Sequence, residues 1–193
     1  MSRYPTKVAT SFFVVVFISE LFLIFYLYKI TINLVIEEEY SRLLEYGANH
    51  RDVLVENYSP QTIRHIVLME EEKDRDIIIT DQTGEIIRSS ENIKLLENNL
   101  PLVKEIKEEK DQMLISDWKT SPYLVSVHPY EVDETISGYV AMFLGTSSIH
   151  QMVKMINTHF AIAGASSLII LLMMYIVSLK LLARFTKRED VNE

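Results

Sequence analysis

Residues 76–90 read DIIITDQTGEIIRSS, two short apolar runs hinged on a polar tetrad. β-Branched residues at 77–80 and the pair Ile86-Ile87 flank Asp81-Gln82-Thr83-Gly84. Aspartate opening a turn and glycine closing it signal a β-hairpin. Aspartate accepts local backbone hydrogen bonds, and glycine reaches positive φ without strain. A hairpin typical of soluble domains thus lies between two far more apolar stretches, and that contrast decides the fold class.

The chain has 193 residues, and its apolar ones gather in two blocks. Residues 8–28 are bracketed by Lys7 and Lys29 with Glu20 as the one charge inside, and residues 160–179 carry no charge. At about 1.5 Å of helical rise per residue, either block spans the ~30 Å of bilayer hydrocarbon. A buried core helix rarely runs so far without polar punctuation. The leader MSRYPTK also suits a cleaved signal peptide. However, the first block exceeds the usual ~7 to 15 apolar residues of such signals, and YKITINLVIEEE lacks a small-x-small cleavage site. The expected division is a cytoplasmic N-terminus at 1–7, spans at 8–30 and 159–180, an extracytoplasmic domain at 31–158 and a cytoplasmic tail at 181–193. Orientation follows the basic residues. Arg3 and Lys7 precede the first span, and Lys180, Arg184, Lys187 and Arg188 follow the second, whereas Lys29 and Lys154 alone lie close by between them. Both termini are therefore expected in the cytoplasm.

Residues 31–158 hold 12 Lys/Arg against 23 Asp/Glu, a net charge of −11. Nucleic-acid phosphates need a basic surface, so no nucleic-acid partner is expected. There is no cysteine, which excludes disulfides, thiolate catalysis and zinc–thiolate sites.

Beyond the first span, Ile32, Ile36, Tyr40, Leu43, Gly47, Leu54 and Tyr58 keep helical spacing, which predicts one long rod. Ser59-Pro60 reads as an N-cap and first helical residue, opening a short helix with Ile63, Ile66 and Val67 inward. After the hairpin come helices capped by Ser90 and restarted near Asn99 and Pro101, reaching about Asp111. Strands are expected at 113–118, 123–130 and 135–144. In the second of these, Tyr123, Val125 and Val127 alternate with Leu124, Ser126 and His128. A last helix, capped at Ser147 or Ser148, leads into the second span.

The segments IIITDQTGEIIRSS and SPYLVSVHPYEVDETISGYVAMFLGT resemble the extracytoplasmic PAS-like, or Cache-type, sensor domain of bacterial membrane sensor histidine kinases. The resemblance covers about residues 8–185. It implies an α+β fold: an antiparallel five-stranded sheet with a long N-terminal helix, flanked by two transmembrane helices and usually dimeric. Asp81 and Gly84 match the family's turn residues. The chain departs from the family at SLKLLARFTKREDVNE, which resembles only the first turns of a HAMP linker and lacks its early proline. By topology His50, His65, His128 and His150 lie outside and His159 at the outer boundary, so none meets cytoplasmic ATP. The chain alone is expected to have no kinase activity and to be the input half of a truncated or split receptor.

An acid inside a span costs about 2.5 to 3.5 kcal/mol on insertion scales. Glu20 is matched in depth by the second span near Ser167, beside small residues that allow close helix approach. Two readings follow: Glu20 packs on Ser166 or Ser167, or it is a tolerated acid wetted by a thinned outer leaflet. The run from Glu70 to Asp76 either binds divalent cations or forms a solvated helix end. It lacks the ligand spacing of a calcium loop, and Lys73 and Arg75 interrupt it, which favours the solvated end. Arg88, Trp118, Tyr123 and His128 are the candidate ligand-binding residues, Arg88 being suited to carboxylates. Each also fits an ordinary core or rim position, and His128 suits a pH sensor. G-x-S-x-G, H-E-x-x-H and phosphate-cradling glycine loops do not occur, so no catalytic, cofactor or metal residue is assigned. The expected function is signal input from an extracytoplasmic ligand, ion or envelope condition. The expected partners are membrane lipid, a second copy, a small ligand or ion, and a separate kinase or other membrane protein. The alternative is a stand-alone two-span protein that binds another membrane protein.

Overall fold

The computed structural model describes residues 4–71, 75–90, 110–133 and 136–189. The helices expected between Ser90 and Asp111 lie outside the described residues. The fold is α+β, with elements α1 (Tyr4–Glu56), α2 (Pro60–Glu71), β1 (Arg75–Asp81), β2 (Ile86–Ser89), β3 (Gln112–Ile115), β4 (Tyr123–Val132), β5 (Ile136–Gly145) and α3 (Thr146–Glu189). Two compact units divide the chain, residues 1–34 with 152–193 and residues 35–151.

In the first unit α1 and α3 are long and apolar enough to cross a membrane, and none of the most apolar stretch of either is buried in the protein. A soluble protein's core helix would bury such side chains. Here Phe12 and Phe22 are 72% and 70% exposed, as lipid-facing residues are. The two helices run antiparallel. Thr10 and Tyr175 share a hydrogen bond of 2.9 Å, the Tyr28 hydroxyl donates to Asn157 Oδ1 at 2.8 Å, and Tyr28 meets Phe160 edge to face.

In the second unit five strands form one antiparallel sheet in the order β2-β1-β5-β4-β3. The hairpin at its edge follows from its turn chemistry. Asp81 Oδ1 accepts hydrogen bonds from the backbone amides of Thr83 and Glu85 and from the Thr83 hydroxyl, and Gly84 takes a φ of 81°. Ser59 caps α2, its hydroxyl oxygen accepting from the Thr62 amide at 3.1 Å.

Both sheet faces are covered in part by apolar residues. One carries Ile78, Val125, Val127, Ala141 and Phe143. On the other lie Leu124, Ser126, His128 and Tyr130, all buried, with α1 against them: Ser126 Oγ lies 3.4 Å from the Leu43 carbonyl, and Tyr58, just past the end of α1, meets Tyr130. Leu43, Gly47, His50 and Leu54 form the buried row of α1 there, spaced as a helix requires.

Several boundaries differ from expectation, β4 for instance running on to Val132, and two of the differences have a visible cause. β3 ends at Ile115 rather than 118, because Asp117 gathers the next residues into a turn. Its carboxylate accepts from the Lys119 amide and the Thr120 hydroxyl, and its carbonyl from the Ser121 amide. α3 starts at Thr146, directly after β5. The Thr146 amide and hydroxyl donate to the carbonyls of Pro122 and Ser121, which anchors the helix start without a loop.

Candidate functional site

Polar groups buried under an apolar helix row are costly unless partnered, so they mark places where the fold does more than pack. Among the described residues two such groups lie around α1. In the first, Glu70 at the end of α2 is fully buried, with His50 Nε2 at 2.9 Å and Arg75 Nε at 2.6 Å. The Arg75 guanidinium stacks on Tyr46 at 3.8 Å, a favourable cation–π geometry. Burial alone would push the Glu70 carboxyl up, but the hydrogen bonds from His50 and Arg75 outweigh it and hold the group below its usual range. α1, α2 and β1 are thereby tied together. This corrects the expectation of a solvated helix end at Glu70. Glu70 continues the inward stripe of Ile63, Ile66 and Val67, and its carboxylate is neutralised from inside the fold.

The second group centres on His128 of β4, which is fully buried. Its Nε2 lies 3.0 Å from Ser126 Oγ, and its Nδ1 lies 3.3 Å from Asp111 Oδ1 without forming a hydrogen bond. Asp111 is held by Arg51 Nη1 at 2.5 and 2.6 Å, and Arg51 also reaches Asp52. The imidazole fills the space that a side chain on Gly47 would take. Burial pushes the His128 imidazolium below its ordinary range; Asp111 opposes this and Arg51 adds to it. The sequence signal for both groups was present in part, since His50 falls in the row Leu43, Gly47, Leu54. The composition of the two groups could not be read, because Glu70, Arg75 and Asp111 come beside α1 only through the tertiary fold.

The four candidate ligand residues are spread over the sheet. Arg88 is exposed on the edge strand β2, opposite Ile79. Trp118 sits in the turn after β3, at the far edge, its ring 5.3 Å from that of His150. Tyr123 packs with the face of Val125 and Phe143, whereas His128 faces α1. A shallow cleft of about 370 Å³ at the β4–β5 end is lined by Gln82, Pro129, Tyr130, Glu131, Ser137 and Tyr139, none of them one of the four. In the first unit the Ser167 hydroxyl donates to Glu20 Oε1, while Ser166 bonds back to the carbonyls of Ile162 and Ala163.

No family model and no curated protein matches the chain. A crystal structure described as the extracellular domain of a provisionally assigned histidine kinase is similar at a TM-score of 0.38 and 12% identity, over 79% of this chain and 62% of that one. The chain thus spans less than two thirds of that structure, and a likeness so slight decides nothing about function.

Proposed function

We propose that the chain is a signal-input module of a membrane receptor, with a PAS-like, Cache-type domain at 31–158 outside the cytoplasm and both termini inside. A ligand, ion or envelope condition acts on the outer domain, and α1 and α3 carry a small displacement through the bilayer, within a dimer, to a kinase region or another membrane protein.

The observation that carries this reading is helix continuity. α1 runs unbroken from Tyr4 to Glu56, and α3 leaves β5 with no intervening loop and runs to Glu189. Neither glycine nor proline, the residues that most often kink a helix, occurs at 29–44 or 149–159. The polar groups around His50 and His128 fix the core side of α1 to the sheet, which supports passage of a sheet rearrangement into that helix.

Labelling tests the threading. The chain has no cysteine, so single cysteines at Gln82 and Arg184 can be probed in intact cells with a membrane-impermeant maleimide. Gln82→Cys should react at once, and Arg184→Cys only after permeabilisation. Equal protection or equal reaction of both positions refutes the proposal.

A further inference from the structure

We infer that the Asp111–His128 pair under Gly47 is a proton-binding site, and that occupation of His128 Nδ1 by a proton moves α1 against the sheet. The inference deepens the sensing role proposed above, and rests on it, by naming protons as an input.

The geometry leads there from the contacts of Ser126. When its hydroxyl donates to the Leu43 carbonyl, 3.4 Å away, its oxygen accepts from His128 Nε2–H at 3.0 Å. A neutral His128 of that tautomer turns the lone pair of Nδ1 toward a carboxylate oxygen 3.3 Å away. Two lone pairs at that distance repel, and Nδ1 is a buried nitrogen with no hydrogen-bond partner. A proton taken from solvent onto Nδ1 turns the contact into a charge-assisted hydrogen bond. Asp111 is the route in, since its side chain remains 30% exposed.

The groups facing His128 set where this occurs. From α1 come Arg51 and Asp52, from the segment before β3 comes Asp111, and β5 presents uncharged Val140 opposite it. Burial and Arg51 disfavour the imidazolium and the two carboxylates favour it, with the balance on the neutral form at neutral pH. Protonation makes Asp111 divide its carboxylate between His128 and Arg51. Because Arg51 and Gly47 are one turn apart on α1 and the ring sits against Gly47, a change in either contact is felt by the same helical turn.

The test uses the full chain in lipid nanodiscs. Exposed Val53 and Glu131 are replaced by cysteine and spin-labelled, which measures α1 against β4, and isotope-labelled histidine reports protonation of His128 by NMR. The expected result is a His128 midpoint below 6.5 and a label distance that changes over the same range. His128→Gln should abolish both, and Asp111→Asn should move the midpoint lower. A His128 that stays neutral down to pH 4, or a distance that changes equally in His128→Gln, overturns the inference. Should His128→Gln fail to fold, Asp111→Asn decides, an unmoved midpoint being fatal. Both labels lie within residues 35–151, so this result is independent of sidedness. A cytoplasmic Gln82 in the labelling experiment removes the receptor reading and leaves the proton site standing, and the reverse pattern removes only the proton site.

Discussion

Replacing Gly47 by alanine should destabilise residues 35–151, although the same change improves most helices. In a helix interior alanine is better than glycine by about 0.5–1 kcal/mol, because glycine loses more backbone freedom on folding. At Gly47 the added methyl would overlap Nε2 and Cδ2 of His128 and stand 2.9 Å from its Cε1. That ring cannot swing away into water, since it is fully buried and tied to Ser126. Overpacking costs about 1–3 kcal/mol, and moving the ring also sacrifices a hydrogen bond worth roughly 1 kcal/mol. The net loss should be about 1–3 kcal/mol. For a domain of this size it would lower Tm by roughly 4–6 °C per kcal/mol. Trp118 is the single tryptophan and belongs to this unit, so its fluorescence follows unfolding in micelles without interference from the apolar helices. Gly164 is the control: a Cβ there meets Ile24 at an ordinary 3.8 Å, so Gly164→Ala should not lower stability. Gly47→Ala combined with His128→Ala should regain much of the loss. A Gly47→Ala protein as stable as the parent would refute the packing of His128 on α1.

Glu70→Leu should cost about 3–5 kcal/mol, the usual result of removing one member of a buried ion pair, because His50 and Arg75 would be left facing each other without a carboxylate; urea titration followed by Trp118 fluorescence measures it. Stability against pH should fall in two windows. A folded imidazolium disfavoured by burial means the unfolded chain binds the proton first, so stability is full above 6.5 and declines as pH drops below it. Glu70, held below its ordinary 4.5, adds a second decline below that value. Thermal melts across pH 3.5–8 should show both, and His128→Gln should erase the upper one alone. Within the apolar pair, Glu20→Gln should keep the α1–α3 contact and Glu20→Leu should weaken it by roughly 0.6–2 kcal/mol, read by detergent titration; identical behaviour of the two variants counts against a role for the Ser167 bond.

Much of the secondary structure could be read because it depends on neighbours in sequence. Asp81 and Gly84 make their turn by bonds within five residues, Ser59 caps α2 three residues on, and the row Leu43, Gly47, Leu54 needs only a helical period. The end of β3 was missed, though its signal was also local: Asp117 turned the chain before Trp118 could join the strand.

The sequence by itself settled two long apolar helices, an acidic segment between them and the hairpin 76–90, since hydrophobicity, charge and turn geometry act over a few residues. Only the tertiary structure decided that β5 lies between β1 and β4, and that His128 meets Asp111 and Gly47. The physical reason is that such pairings join residues far apart in the chain. Whether a histidine or glutamate is solvated or buried then depends on which strand or helix is laid beside it, and no periodic pattern records that.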